Sequence, residues 1–139
     1  MLGKAIHHTD NTSDPALGLY NFETYETKKR VVADTVCTAK FLNEEIIGFM
    51  NKQSFTSFVP NPMFRVISGS GNAPDRNDEG LQDKSLYATS LAGPILVRNP
   101  HFCAHIEKEL YKKKGLNTFP SGFVYEQMAY NTSLDGLTK

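Results

Sequence analysis

The stretch Leu86–Ile106, LYATSLAGPILVRNPHFCAHI, places a strand signal, a turn signal and a helix start in immediate succession. Leu86 to Leu91 is short, β-prone and closed by Gly93-Pro94, a pair that punctuates regular structure. Asn99 then stands as a natural N-cap, with Pro100 in the first helical position, where a missing amide hydrogen costs nothing. Phe102, Cys103, Ile106 and Leu110 recur at helical spacing and predict an apolar face. Glu109 with Lys113 forms an i to i+4 pair, Lys112 to Lys114 suit the negative end of the helix dipole, and Gly115 supplies the stop. A helix at about 99–114, preceded by a strand, is the expectation.

Working outward, further strands are predicted at Ala16 to Phe22, Arg30 to Phe41, Glu45 to Met50 and Met63 to Gly69, each rich in Val, Ile, Phe, Tyr or Thr. Gly69 to Glu79 (GSGNAPDRNDE) reads as a loop, and the polar opening through Pro15 (HHTDNTSDP) reads as a turn-rich connector. Beyond Gly115, a short helix is expected around Val124 to Tyr130, followed by a fraying polar end. Strands and helices in one chain of 139 residues make an α/β domain, and 40% hydrophobic content with nine phenylalanines and six tyrosines is enough for a core.

Charge and composition narrow the function. Fifteen basic and fifteen acidic residues leave a formal net charge of zero, so no broad field is available to hold nucleic acid or an anionic membrane surface. The first twenty residues carry His7, His8, Asp10 and Asp14 and no apolar run, which reads as no signal peptide; no later stretch approaches the roughly 20 apolar residues of a membrane span. A cytoplasmic location follows as the expectation. Cys37 and Cys103 lie far apart and are expected to be reduced. Both read as small buried side chains, Cys37 inside a strand and Cys103 on the apolar helix face, and not as nucleophiles. His101, His105 and Glu109 share a helix face at a spacing compatible with a metal, but no motif supplies a third element, and the reading adopted is a solvated helix flank. His7-His8 reads as surface polarity. Gly69 to Asn72 lacks the lysine and following helix of a phosphate loop and is read as a turn. No cofactor and no metal are expected.

Four runs in a shared order carry a resemblance. LGLYNFETYETKKRVVAD, NEEIIGFMNKQSFTS, FRVISGSGNAPDRNDEGL and LYATSLAGPILVRNPHFCAHI together resemble the back half of CobB/CobQ-type class I glutamine amidotransferases. Within that family the glutaminase subunit of lipid II isoglutaminyl synthase is most similar, with cobyric acid synthase-type domains as neighbours. The resemblance implies a partial flavodoxin-like fold built on a mostly parallel sheet covered by helices on both faces. It spans residues 1–116, leaving 117–139 as a C-terminal extension. It also implies glutamine as substrate, and a Mur-ligase-like partner subunit that receives the ammonia.

Such chemistry needs a cysteine thiolate to attack the carboxamide and a histidine to move the proton. Met1-Leu2-Gly3-Lys4 is similar to the tail of the family's nucleophile turn, so the resemblance places the cysteine upstream of Met1, outside this polypeptide. The histidine is implied immediately before Gly-Pro, where this chain has Ala92. Lys52 stands where the family shows a second histidine, and Asn51 matches. Arg30 corresponds to the arginine that contacts glutamine, and a guanidinium there suits the α-carboxylate. Neither member of the dyad is present on this reading, so the expectation is an inactive domain or a partner-binding scaffold derived from that fold.

A sheet lacking the strands that precede the nucleophile turn exposes an edge, and exposed edges pair with other chains. Self-association, or dependence on a partner supplying a missing N-terminal half, is therefore predicted. Light scattering checks it: a monodisperse monomer, stable for days, contradicts it.

Overall fold

The structure is a computed structural model that describes residues 1–117, 122 and 124–138. Its centre is a pair of long antiparallel strands, β3 (Thr24–Ala39) and β4 (Ile46–Thr56), joined by a short turn. The alternation in β3 sends Cys37 and Ala39 to one face and Val36 to the other, as the two-residue period of a strand requires. Across the pair, Cys37 sits opposite Ile46 and Val36 opposite Ile47, so each face receives a matched apolar row.

Around this pair the rest of the sheet is assembled. β1 (Ala5–His7) runs parallel to the start of β3 and pairs antiparallel with β2 (Ser13–Pro15). β5 (Phe64–Ser68) runs antiparallel to the end of β3, with β6 (Asp78–Glu79) on its outer side. β7 (Leu81–Asp83) and β8 (Leu86–Ala88) form a separate hairpin, and β9 (Leu91–Ala92) pairs with β4. Among the described residues β1 with β3 is the one parallel pairing, so the sheet is mixed and strand-rich, not the mostly parallel sheet implied by the resemblance. The antiparallel character has a simple cause: β3 and β4 are joined by a turn, whereas parallel neighbours need a long crossover.

Helices cover both faces. α1 (Ile95–Arg98) and α2 (Pro100–Lys113) follow β9, and α2 brings Phe102 and Ile106 onto a core of Cys37, Ile46, Met50, Phe64, Val66 and Leu91. α3 (Val124–Leu137) sets Tyr130, Leu134 and Leu137 against Val36 and Ile47 on the opposite face. The Tyr130 hydroxyl donates to the carbonyl oxygen of Glu45 at 2.9 Å, which anchors the helix at the β3–β4 turn.

Several expectations are corrected. The helix around Val124 to Tyr130 continues to Leu137, because its second half also has apolar residues to bury. Of the segment 117–139, residues 118–121, 123 and 139 lie outside the described residues. Ala16 to Phe22 is not a strand. Gly18 adopts a left-handed conformation (φ 66°), and the segment wraps residues 1–4 through bonds such as Gly18 N–H to the Gly3 carbonyl at 2.7 Å. The supposed connector before Pro15 is instead the β1–β2 hairpin. Its turn is closed by left-handed Asn11 and by the Asp10 carboxylate, which accepts from both the amide and the hydroxyl of Thr12. The strand expected over Leu86 to Leu91 breaks at Thr89-Ser90 into β8 and β9. On α2, Leu110 is 57% exposed, and Lys113 reaches the Ser85 hydroxyl rather than Glu109.

Asn99 is the most instructive correction. It is fully buried and its side chain makes no cap; its Nδ2 donates to the carbonyl oxygens of Ile47 and Ile95, and its Oδ1 accepts from the Ile47 amide, each at 2.8 Å. The side-chain amide thus satisfies both backbone groups of a central β4 residue, while the Asn99 carbonyl still receives Phe102 and Cys103 N–H at 3.0 Å. Asn99→Ala leaves a buried donor and acceptor unpaired, and the expected loss is about 3 kcal/mol. Urea unfolding with an unchanged slope checks it, and Asn99→Asp, which retains the acceptor but not the donor, is expected to be destabilised as well.

Candidate functional site

Arg30 owes its position to an irregularity in the central ladder. From Glu26 to Val31 the register on β3 advances five residues while β4 moves only from Ser54 to Lys52, so Thr27 to Arg30 swell out as a bulge. Such bulges re-aim side chains at the point where pairing resumes. Here the Thr27 hydroxyl bonds the Lys29 carbonyl oxygen at 2.7 Å, and Arg30 turns its Nη1 onto the Asn51 Oδ1 at 2.9 Å. Both side chains are exposed.

Asn51 is two residues along β4 from Phe49, which pairs directly with Ala92 on β9. Residues two apart on a strand share a face, so Arg30, Asn51 and Ala92 lie on one side of the sheet, with diagonal neighbours roughly 7–8 Å apart. Ala92 is exposed, and the next residue, Gly93, has a left-handed φ of 68° with open space around it. Lys52 points to the other face and does not join this group. Its amine is half-buried and donates to the carbonyl oxygens of Gly71 (2.6 Å) and Asn72 (3.3 Å), and burial lowers its pKa.

The N-terminal residues stand next to this region. Met1 and Leu2 line a small cavity of about 200 Å³ together with Phe22, Ala88, Thr89 and Ser90, directly before β9. A larger hollow of about 990 Å³ lies elsewhere, lined by Lys40, Pro60, Phe64, Arg65, Arg76 and Asp78. Arg30, Asn51 and Ala92 line neither of these hollows; all three are exposed on the open sheet face.

Neither cysteine is poised for attack. Both are free; Cys37 has no exposed surface, and burial pushes its pKa up to about 12. Cys103 is also raised, by partial burial. The helix histidines are not a solvated flank. His105 stacks on Phe41 with centroids 4.6 Å apart, and His101 meets Tyr130 edge-on at 4.8 Å, with burial lowering its pKa. Among the described residues no group of three His, Cys, Asp or Glu side chains converges to hold a metal. None of their helices is long and apolar enough to cross a membrane.

Two features escaped the sequence reading. Glu79, expected at the end of a loop, has no exposed surface, and its carboxylate accepts from the Thr89 hydroxyl at 2.7 Å and the Ser90 amide at 2.8 Å. Burial pushes its pKa up, against hydrogen bonds that hold it down. His7 and His8 are not idle surface groups either. His7 pairs with Glu23 at 3.0 Å and stacks on Tyr25, and His8 sits between Asp14 and Glu26 at 3.0 Å each. Only acidic residues at matching positions on β2, on β3 and immediately before β3 would have pointed to them.

Comparison with known proteins places this geometry in context. No protein-family model matches the chain. It is 30% identical over 115 residues to subunit GatD of lipid II isoglutaminyl synthase (glutamine-hydrolyzing) from Staphylococcus aureus (strain N315), covering 83% of this chain and 47% of that protein. Over that span the chain is GatD-like. The same subunit of Streptococcus pneumoniae (strain ATCC BAA-255 / R6) matches at 30% over 117 residues, covering 82% of this chain and 45% of the relative. The GatD-like chain thus spans about half the length of the curated relatives it matches.

His8 carries a pH prediction. Hydrogen bonds to Glu26 first, and then Asp14, raise its pKa above the ordinary 6.5. A raised folded pKa stabilises fully below 6.5 and loses that contribution as pH rises through the folded value. Proton NMR titration is expected to place His8 above 6.5, with Glu26→Gln shifting it back further than Asp14→Asn. The stability gap between the wild type and His8→Ala is expected to close as pH increases through the same range.

Proposed function

We propose that this chain is part of a glutamine amidotransferase domain of the lipid II isoglutaminyl synthase type, in which Arg30 receives the α-carboxylate of glutamine. The observation that carries the reading is the bulge that turns Arg30 onto Asn51, on the sheet face that also bears Ala92. A guanidinium held at one end by a neutral amide oxygen keeps its other donors free for a carboxylate. Similarity to two subunits named as glutamine-hydrolyzing supports the substrate.

The same residues argue against hydrolysis by this chain. Residue 92 occupies the place where the resemblance puts the proton acceptor, and a methyl group moves no proton. General-base catalysis is worth about 10²- to 10⁴-fold, and the two thiols present are both held in their unreactive form. The proposal is therefore a glutamine-holding portion of a CobB/CobQ-class domain that does not hydrolyse glutamine as this chain stands, with a flavodoxin-like layering of helices on both sheet faces. A Mur-ligase-like subunit in a cytoplasmic assembly is its proposed partner. The cobyric acid synthase-type alternative has no observation in its favour.

Calorimetric titration with L-glutamine tests the reading. The wild type is expected to bind, Arg30→Ala to lose roughly tenfold or more in affinity, and Arg30→Lys to recover only part of it. Ammonia release is expected to stay at the uncatalysed level. Absence of glutamine binding, or an unchanged affinity in Arg30→Ala, counts against the assignment.

A further inference from the structure

A strand of two residues cannot specify its own register. β9 is held on β4 through only Phe49 opposite Ala92 and Met50 opposite Leu91. A slip by one residue would turn Leu91, now 5% exposed and part of the core, out to solvent and carry residue 92 inward. Leu91 seats against the bare backbone of Gly48, where an added Cβ would lie 2.9 Å from it, and this contact favours the observed register from within. The polar tether lies just upstream. Glu79 accepts from the Thr89 hydroxyl and the Ser90 amide, and the Thr89 oxygen in turn accepts from the Leu91 amide at 3.0 Å.

We propose that Glu79 is a positioning residue: it ties β6 to the Thr89-Ser90 corner, fixes the register of β9 on β4, and thereby sets which face of the sheet residue 92 occupies. The carboxylate is itself firmly held. Glu79 pairs with Phe64 of β5, and the neighbouring Gly80 amide donates to Asn72 Oδ1 at 3.0 Å, while Asn72 Nδ2 returns a bond to the Gly80 carbonyl oxygen at 3.2 Å. Among the described residues no cation lies within ion-pair distance of Glu79. Its hydrogen-bond donors are the neutral Thr89 hydroxyl and Ser90 amide, both in the corner before β9, and the Lys52 amine acts on it only at longer range. A buried carboxylate is costly unless satisfied, so releasing that corner would strand it. The functional weight of residue 92 rests on the amidotransferase reading above, but the register does not.

Thiol labelling reads the register directly. In a Cys103→Ser background, Ala92→Cys and Leu91→Cys are each made with Glu79 intact and with Glu79→Ala, and reacted with a small aromatic disulfide. With Glu79 intact, Ala92→Cys is expected to react at least roughly tenfold faster than Leu91→Cys. Glu79→Ala is expected to reduce that ratio to about threefold or less while buried Cys37 stays protected, and Glu79→Gln, whose side-chain oxygen still accepts from Ser90, to preserve most of it. Thr89→Val, which removes only the hydroxyl link, is expected to lower the ratio as well and decides the matter if Glu79→Ala does not fold. A ratio unchanged in Glu79→Ala and Thr89→Val overturns the proposal. Loss of the ratio in step with reaction of Cys37 also overturns it, since that marks general unfolding. Because labelling needs no glutamine, failure here is distinct from failure of the glutamine titration.

Discussion

The ladder between β3 and β4 is the constraint on which the remainder of this protein is hung. It is the longest pairing in the sheet, it separates the two apolar faces, and every helix reaches the core by packing on one of its sides. Its fixed alternation is what lets Cys37, Ile46 and Met50 meet α2 while Val36 and Ile47 meet α3. The interruption at Thr27 to Arg30 is tolerated because it falls where the side chains on either strand are exposed or half-buried, away from both clusters.

Buried polar groups act at the ends of this scaffold, beside core residues such as Ile47 and Leu91. Asn99 closes the chain's return onto β4, and Glu79 closes the approach to β9. Each satisfies backbone groups from a distant segment, so each converts a nonspecific apolar contact into a defined geometry. The two differ in chemistry. The Asn99 amide is neutral and matched donor for donor, whereas the Glu79 carboxylate carries a desolvation cost that its partners only partly offset.

What the sequence disclosed, and what it withheld, follows from the range of the forces involved. The helix at 99–114 was legible because Pro100, the apolar spacing and Gly115 all act within a few residues. β3 and β4 were recognisable from their β-branched runs, though the pattern could not show that β3 begins at Thr24 or that it swells at Arg30. β1 stayed hidden because a three-residue strand earns its identity from a partner nearly twenty residues away. Asn99 was flagged at the right position for a reason that does not operate. Its side chain serves Ile47, a contact 52 residues distant that no local signal encodes. Glu79 was misplaced because acidic residues in a run such as NDEG ordinarily remain in water.

The swelling in β3 also stores surplus chain. Because the ladder is in step on both sides of Thr27 to Arg30, adding or deleting a residue there would change how far the guanidinium reaches without disturbing the pairing of Val31 onward. The molecule therefore carries a point of length tolerance beside Arg30, a place where the reach of one side chain can drift while the core remains untouched.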